Sequence, residues 1–596
     1  MEFRIHRGLI GLLAVGIAAI TYGQKQAVKT LFPTSVQRVE SSTIDTKDFV
    51  VQIDESYNYQ PLWPENPIDR FDPPAKPNNL PVGKMSAKPV GTPGPLFPAI
   101  GATGWTPPDP DIAVGPNHIL AVVNSSFAWF DKAGTKQFQQ TAQNFFTGMG
   151  AGSFQFDPKC FFDRVHQRFV FIYLEQDDAT VTSKILLAVS DDADPNGTWF
   201  RYRLEAKLVI GTASYWLDYP GFGYNKDAFV VSGNMFGFTS GFAGIQFLVV
   251  PSLPLLTGGA ATVTSIRDAT LGSAQVAEMI SATAPNVFAI ARNGSTSVRL
   301  YSVNDPGGTP TVSQANIAVP SNSSPTMDAT STNSRTLDTI DGRVFNATWR
   351  NGKLVAAHNR QNGSFVGSRW YQIDTNGFPS GTPTVGHAGN IGSATEHLFD
   401  PAISINGDWS ISTLYTRCSP TVTADLVFSG RNRDLATGTI GAPVLLEASA
   451  GNSYGQGRWG DYFGVDVDPV NDRTFWGIGM LVAANNSWTT SIFSWNVTPP
   501  AQPNLVSFVI EPVGVQGGQP TSGIITLDAP ALAGGSMFFM SKNSDLIQIP
   551  DTVTVPSGET TVTFTIQTSV PIRNTTVSVK ASSEVGAIKT AMTVLH

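Results

Sequence analysis

An acidic residue returns about every sixty positions through the middle of this 596-residue chain. The successive spacings are 48, 61, 60, 60, 62 and 61 residues. After each acid the pattern predicts a short apolar strand, a polar turn with Asn, Asp or Gly, and further strands, about four in all. The seven acids are Asp109, Asp157, Asp218, Glu278, Asp338, Asp400 and Asp461.

A constant period of this length with four short strands per unit predicts a β-propeller over residues 101–500. A single four-stranded sheet cannot bury both of its faces, so sheets stack around an axis, and closing the ring leaves few exposed strand edges. Seven units predict seven blades. The fourth unit fits the pattern least well, which leaves six or eight blades open. A β-helix is disfavoured because its repeats are much shorter.

Residues 501–596 lack this period. Alternating runs such as LVSFVIEP and TTVTFTIQT are separated by turn signals such as GGQP and PSGET. Seven or eight short strands in one such segment predict an immunoglobulin-like β-sandwich, with Phe508, Phe538 and Phe564 in its core. The predicted fold class is therefore all-β: a seven-bladed β-propeller followed by an immunoglobulin-like sandwich.

The first hundred residues predict export and a lead-in. Arg4 and Arg7 precede an apolar run over residues 8–20, which is too short to span a membrane and suits a signal peptide over residues 1–23. An uncleaved N-terminal anchor is the alternative. Prolines then recur through residues 24–100, and we interpret this segment as a lead-in that lies over the next domain or stays mobile.

Composition excludes several classes of protein. Charged residues make up 14% and apolar residues 41%, which argues against a disordered or coiled-coil chain. The net charge is −8 and no Lys/Arg cluster is present, so we expect no nucleic-acid partner. No later apolar run is long enough to predict a membrane span in the mature chain. Cys160 and Cys418 are too few for a disulfide framework, and a single bridge or two buried thiols both remain open.

The recurring acids are the first candidate site. If each acid begins the innermost strand of its blade, the carboxylates converge near one mouth of the central channel. There they could hold Ca²⁺ or act as acid and base in glycoside cleavage, for which Asp218, Asp400 and Asp461 are the catalytic candidates. The alternative is local, because Asp before Pro fixes a turn by accepting backbone N–H bonds.

A repeated W-x-D-Y string supplies candidate ligand-binding residues. Aromatic rings beside carboxylates suit sugar recognition, since the ring stacks on the sugar face while the acid accepts hydroxyl bonds. Packing of large aromatics between blades is the alternative. The candidate ligand-binding residues are Trp216, Tyr219, Arg417, Arg458, Trp459 and Tyr462.

Residues 192–197 read Asp-Ala-Asp-Pro-Asn-Gly, which matches the start of a calcium-binding loop. Asp192, Asp194 and Asn196 are the metal-binding candidates. An EF-hand would need Glu at the twelfth position, where Arg203 stands, so a shortened Ca²⁺ loop and a plain Asn-Gly hairpin are the two interpretations.

The D-P-x-apolar turns, the string Gly197-Thr198-Trp199 and the RWGDY element at 458–462 resemble a group of secreted bacterial β-propellers. That resemblance implies a propeller fold, distantly sialidase-like. The C-terminal turns APALAGG and TVPSGE resemble the Ig-like modules of bacterial cell-surface proteins.

Three functions follow as hypotheses. The first is a secreted, periplasmic or cell-surface protein that binds a glycan or an extracellular protein at the channel mouth, with Ca²⁺ as a candidate cofactor. The second is a sialidase-like glycoside hydrolase or lyase that uses the ring of carboxylates. The third is an envelope component without a small ligand, whose mouth is plugged.

Overall fold

Antiparallel strands joined by short turns make up nearly all of the computed structural model, which describes residues 28–49, 78–281, 284–583 and 586–596. The all-β class is confirmed. The predicted signal segment and residues 50–77 of the lead-in lie outside the described residues. In the part of the chain that is described, no helix is both long and apolar enough to cross a membrane.

The first four sheets follow one another in sequence. Sheet 1 contains Asp111–Val114, His118–Val123, Ser126–Asp131 and Lys136–Thr141. Sheet 2 contains Gln155–Asp163, Arg168–Asp177, Thr182–Ser190 and Thr198–Glu205. Sheet 3 contains Leu208–Ile210, Ala213–Tyr224, Ala228–Gly237, Phe242–Pro251 and Ala261–Asp268. Sheet 4 contains Gln275–Val276, Val287–Arg292, Ser297–Asn304 and Thr311–Ala318.

Three further sheets complete this series. Sheet 5 contains Glu278–Met279, Val344–Arg350, Lys353–Asn362, Phe365–Asp374 and Thr384–Ile391, and its first pair is parallel. Sheet 6 contains His397–Ile405, Ile411–Ser419, Val422–Arg431 and Val444–Glu447. Sheet 7 contains Gly464–Val467, Phe475–Val482, Trp488–Asn496 and, from the N-terminal side, Thr92–Gly101. A small ladder joins Ala329–Thr330 to Thr336–Leu337; the helices are Ala142–Phe145 and Ser252–Leu255, with 3₁₀ turns at Thr46–Asp48 and Thr332–Ser334.

The inner strands of the seven sheets close into a ring that we call the hub. The inner strand of each sheet contacts that of the next, and Gly464–Val467 of sheet 7 contacts Asp111–Val114 of sheet 1. The arrangement is therefore β-propeller-like. Large side chains fill the space between neighbouring sheets: Phe161 of sheet 2 stacks on Tyr224 of sheet 3, with ring centroids 4.4 Å apart.

The N-terminal segment lines the outer edges of the sheets. Ser42–Asp45 pairs with sheet 2, Pro33–Val39 with sheet 3 and Lys29–Leu31 with sheet 4. Thr92–Gly101 supplies the fourth strand of sheet 7, so the repeat region takes in residues that the sequence assigned to the lead-in. Prolines are tolerated there because the strand lies at a sheet edge, where a missing N–H breaks no ladder.

Two sheets form the C-terminal region. One contains Leu505–Glu511, Thr521–Leu527, Thr561–Thr568 and Ile547–Gln548. The other contains Gly514–Gln516, Gly586–Leu595, Thr575–Ser583, Ser536–Lys542 and Thr552–Val555. Phe508 and Phe538 are buried in the shared core, and Phe564 packs against it half-buried. Alternating burial along these strands is the pattern of two-layer packing.

Candidate binding site at the hub

The inner strand of every sheet has one residue in the left-handed backbone region, either within the strand or just before it. The φ angles of these seven residues lie between 48° and 54°. They are Asp109, Asp157, Tyr219, Ser273, Ile340, Asp400 and Asp461. The feature that recurs is thus a backbone conformation, and an acid fills it in four sheets. Asp218, Glu278 and Asp338 do not occupy the equivalent position, so the acidic repeat inferred from sequence is out of phase in sheets 3, 4 and 5.

Asparagines from the neighbouring strands hold several of these turns. Asn124 Oδ1 accepts the backbone N–H of Asp157 at 2.8 Å, and Asn124 Nδ2 donates to Asp109 Oδ2 at 2.6 Å. Asn359 makes the same pair of bonds to Asp400. Its Oδ1 accepts the backbone N–H of Asp400 at 2.8 Å, and its Nδ2 donates to Asp400 Oδ1 at 2.9 Å. These bonds fix where each carboxylate points, and they support the local, turn-fixing interpretation for one oxygen of each acid.

The other carboxylate oxygens converge at one end of the hub. We call this the entry end, because the inner strands begin there, and the opposite end the far end. Asp109 Oδ1, Asp400 Oδ2 and Asp461 Oδ1 are shielded from solvent and accept no hydrogen bond. Asp109 is 2% exposed and Asp400 is fully buried. Buried carboxylate oxygens without donors are costly, so they mark a place where donors from a ligand would be favourable.

Arg458 is the cation of this entry-end cluster. Its guanidinium forms ion pairs with Asp461 and with Asp338, the latter at 3.2 Å. Arg343 is bound to Asp341 in a bidentate pair. The side chains of Arg458 and Asp461 are each 16% exposed, so they form the rim above the more deeply buried acids.

Burial and repulsion between neighbouring carboxylates raise the pKa values of five acids at the entry end. The pKa of Asp109 lies well above its usual range because of burial and the charges of Asp461 and Asp157. Burial likewise raises the pKa of Asp400. Burial raises the pKa of Asp218 to about 6, although the nearby Arg343 opposes the shift. Asp218, Asp400 and Asp461, the predicted catalytic acids, therefore belong to one electrostatic group.

Glu278 does not belong to the entry-end group of acids. Its pKa is raised well above the usual range by burial and by Asp466 and Asp111, which lie further along the inner strands. Glu278–Met279 instead pairs in parallel with Val344–Arg350 inside the hub. Its predicted placement in the ring of mouth acids is wrong, because the short strand that contains Glu278 adds to sheet 5 and does not start sheet 4.

Tyr219 and Tyr462 fill the hub beneath the acids. Their rings meet edge to face with centroids 6.0 Å apart, and both pack with Ile340 and Phe345 in one buried apolar cluster. The Tyr462 hydroxyl donates to Pro158 O at 2.9 Å, which joins sheets 7 and 2. These tyrosines close the floor of the entry-end cluster.

The predicted tryptophans lie between sheets. Trp459 is fully buried and its indole N–H donates to Thr416 Oγ1 of sheet 6 at 3.0 Å. Trp216 is 7% exposed and meets Phe156 of sheet 2 at 6.2 Å. This placement matches the packing interpretation of the W-x-D-Y strings. Arg417 pairs with Asp425 of its own sheet at 2.7 Å.

The predicted calcium loop is a hairpin in which one side-chain oxygen of each candidate residue already accepts a hydrogen bond. Asp192 Oδ1 accepts the N–H of Asp194 at 2.7 Å, and Asp194 Oδ1 accepts that of Asn196 at 2.9 Å. Asn196 Oδ1 accepts the indole N–H of Trp129 at 2.8 Å. Within the described ranges, no group of three or more His, Cys, Asp or Glu residues is arranged to hold a metal. Calcium at this loop stays a prediction.

Sequence reasoning missed Asp109 and Asp157 as site residues, although it found both as repeat markers, and it missed the pairing asparagines. A signal was present in Asp109-Pro110 and Asp157-Pro158, which share the acid–Pro step of Asp400-Pro401. Cys160 and Cys418 are both free and buried, in sheets 2 and 6.

A cavity of about 280 Å³ opens beside the entry end. Thr339 and Ile340, at the start of sheet 5, form one wall of it. The remaining lining residues are Pro325, Thr326, Met327 and Asp328. The cavity is large enough to admit a sugar-sized group next to the rim residues.

Comparisons with known proteins identify no family for this chain. No family model matches the chain, and no curated protein does. Among solved structures, a Dyadobacter fermentans protein of unknown function is similar with a TM-score of 0.35 and 10% identity, over 69% of this chain and all of that one. A GH43 endo-arabinanase from Bacillus licheniformis has a TM-score of 0.25 and 13% identity, over 67% and 96% of the two chains. A PL25 ulvan lyase has a TM-score of 0.26 and 10% identity, over 75% of this chain and 93% of that one. Scores this low do not identify a shared fold.

Proposed function

We propose that this protein is an exported seven-bladed β-propeller with an immunoglobulin-like C-terminal module, and that it binds a glycan at the entry end of the hub. The seven sheets are the blades, and the two C-terminal sheets are the sandwich. The blade count is supported by seven left-handed residues, one for each inner strand. Export is tested by sequencing the N-terminus of the secreted protein, which begins at Gln24 if residues 1–23 are removed.

One observation carries the binding proposal. Asp109 Oδ1 and Asp400 Oδ2 are buried and accept no hydrogen bond, while the second oxygen of each acid is held by an asparagine. Sugar hydroxyls are short, adaptable donors that satisfy such acceptors, and O–H···O⁻ bonds are among the strong ones. The rim formed by Arg458 and Asp461 is partly exposed, and the cavity lined by Thr339 and Ile340 lies next in sequence to Asp338, the second acid that pairs with Arg458.

The test uses two isosteric variants on a glycan array, Asp109→Asn and Asp400→Asn. In each, the amide oxygen keeps the bond from Asn124 or Asn359, and only the unpartnered oxygen becomes an NH₂ donor. We expect binding of the best glycan to fall at least about tenfold in both variants. The matched control is Asp178→Asn, which makes the same charge change in the exposed turn between Arg168–Asp177 and Thr182–Ser190.

A blank array for the wild-type protein, or an equal loss in the control, would overturn the proposal. Repeating the array in EDTA tests the cation at the same time, because binding that requires Ca²⁺ disappears when the metal is removed.

Catalysis is the second candidate, favoured by the pKa of Asp218. An acid with a pKa of about 6 can be protonated near neutral pH and serve as general acid beside a second carboxylate such as Asp461. Incubation with each bound glycan, followed by assay for new reducing ends or unsaturated products, separates a hydrolase or lyase from a binding protein. No product after extended incubation would remove this candidate.

A further inference from the structure

The charge of the entry-end cluster points to the class of glycan. Six acids surround one end of the hub: Asp109, Asp157, Asp218, Asp338, Asp400 and Asp461. The guanidinium of Arg458 is engaged by two of them, and that of Arg343 is engaged by Asp341. No cation in the described cluster is left to receive an anionic group from a ligand.

The one nearby amine is also committed. Lys159 Nζ lies over the Tyr462 ring, 3.2 Å from its centroid, and its largest favourable charge interaction is with Asp111. It lies below the acids, in the aromatic floor, where its charge also acts on Asp157 and Asp109. It therefore offsets part of the negative charge from below, and the rim acids Asp338 and Asp461 have Arg458 as their cation.

The two buried oxygens that accept no hydrogen bond lie within this group of acids. Asp400 Oδ2 faces the Gly460–Asp461 turn, since a Cβ built on Gly460 would lie 2.9 Å from it. Asp109 lies beside Asp461 and Asp157, and its carboxyl group is close enough to that of Asp157 to share a hydrogen bond when one of the two is protonated. Both unpartnered oxygens thus lie within a group of like charges, where a donor that carries positive charge gains more than a neutral hydroxyl.

We propose that the entry end recognises an amine-bearing saccharide, in which a protonated amino group lies among Asp109, Asp400 and Asp461, and that it rejects acidic sugars. This rests on the proposed glycan-binding function and narrows it. It also replaces the sialidase-like alternative, because a sialic acid carboxylate would meet carboxylates with no free arginine to receive it.

Calorimetry with three matched oligosaccharides tests the proposal. The probes are a glucosamine tetramer, the corresponding N-acetylglucosamine tetramer, which has the same backbone without charge, and a galacturonate tetramer. At about pH 6 and low salt we expect the glucosamine tetramer to bind at least about tenfold more tightly than the N-acetylated one, and the galacturonate tetramer not to bind. The wild-type preference should fall below about threefold in Asp109→Asn and Asp400→Asn and persist in Asp178→Asn.

Proton release is the second readout. The charged groups around the amine are the six acids with Asp341, and the cations Arg458, Arg343 and Lys159. An ammonium among these acids favours the ionised carboxylates. Binding should therefore release protons, seen as different heats in buffers of different ionisation enthalpy.

The outcomes separate the two proposals. Equal binding of the charged and neutral tetramers overturns the amine inference and leaves glycan binding intact. Tighter binding of the galacturonate tetramer also overturns it. A preference that survives in Asp109→Asn and Asp400→Asn means attraction to the acidic protein as a whole, which again overturns it. If no probe binds and the glycan array is blank, the proposed function fails with it.

Discussion

The two ends of the hub handle buried charge in opposite ways. At the far end, Arg164 of sheet 2 pairs with Asp466 at 3.1 Å and with Asp472 at 3.3 Å, and Arg350 of sheet 5 donates to Asp472 Oδ2 at 2.8 Å. Acids and guanidiniums there are matched across three sheets. At the entry end, six acids share the guanidinium of Arg458 and leave three oxygens without donors. The ion pairs at the far end link three sheets of the ring. The unpaired carboxylate oxygens at the entry end reduce the stability of the folded protein, and a bound ligand that donates to them can restore it.

The C-terminal region adds to this contrast. Asp408 Oδ1 accepts the N–H of Ala533 at 2.8 Å, and Arg473 donates to the carbonyl of the same residue. Asp408 and Arg473 lie in the turns that follow the inner strands of sheets 6 and 7. The C-terminal region therefore contacts the turns at the far end of the hub. This is a further reason to look for an external ligand at the entry end.

The largest expected effect breaks the far end. Arg164→Met removes the cation that Asp466 and Asp472 share, and Asp466, 2% exposed, is left buried without it. Removing one partner of a buried pair costs about 3–5 kcal/mol, so we expect a loss of that order in the free energy of unfolding by urea. The control is Arg38→Met, whose pair with Glu40 has side chains 73% and 75% exposed and should leave the midpoint unchanged. Equal effects in the two variants would show that the far-end network does not stabilise the ring.

The entry end should respond in the opposite direction. Burial raises the pKa of Asp400 in the folded protein, so this acid binds its proton more tightly folded than unfolded. Its contribution is favourable below the unfolded pKa of about 3.9 and is lost as pH rises through the folded value. Above the folded pKa, ionising this buried acid costs stability, and Asp400→Asn removes that cost. We therefore expect the thermal midpoint of the variant to equal that of the wild type near pH 4 and to exceed it by about 2 °C at neutral pH.

Thermal scans of both proteins across this pH range measure the difference. A variant that is less stable than the wild type at neutral pH would mean that the Asp400 carboxylate is ionised and stabilising there, as at the far end.

How far the sequence predicted this molecule depends on which feature is considered. The period near sixty predicted the all-β ring because four of its markers, including Asp157 and Asp461, do occupy the left-handed position of an inner strand. It failed at Tyr219, Ser273 and Ile340 because the fold repeats a backbone angle, which neighbouring sheets can impose on any residue. The far-end network was invisible in sequence, since Arg164 and Asp472 are 308 positions apart and meet only when the ring closes.

A smaller effect separates packing from binding between sheets 6 and 7. Trp459→Phe removes the indole bond to Thr416, and we expect a loss of about 1–2 kcal/mol with unchanged glycan affinity. Trp495→Phe is the matched control, because its indole donates to Ser412 of the same neighbouring sheet at 2.8 Å and it was never a ligand candidate. Weaker glycan binding in Trp459→Phe alone would restore the sugar-stacking interpretation.

The smallest expected effect concerns the hairpin at residues 192–197, which has neither the excess charge of the entry end nor the matched pairs of the far end. Asp194→Asn keeps an Oδ1 acceptor for the N–H of Asn196, so the hairpin should retain its turn and the thermal midpoint should not change. Because the oxygens of Asp192 and Asn196 are already bonded, we expect added CaCl₂ to leave the midpoints of both proteins unchanged. A calcium-dependent rise in the wild type that is absent in Asp194→Asn would show instead that the loop rearranges to bind the metal, since only a ligand that binds the folded state raises its stability.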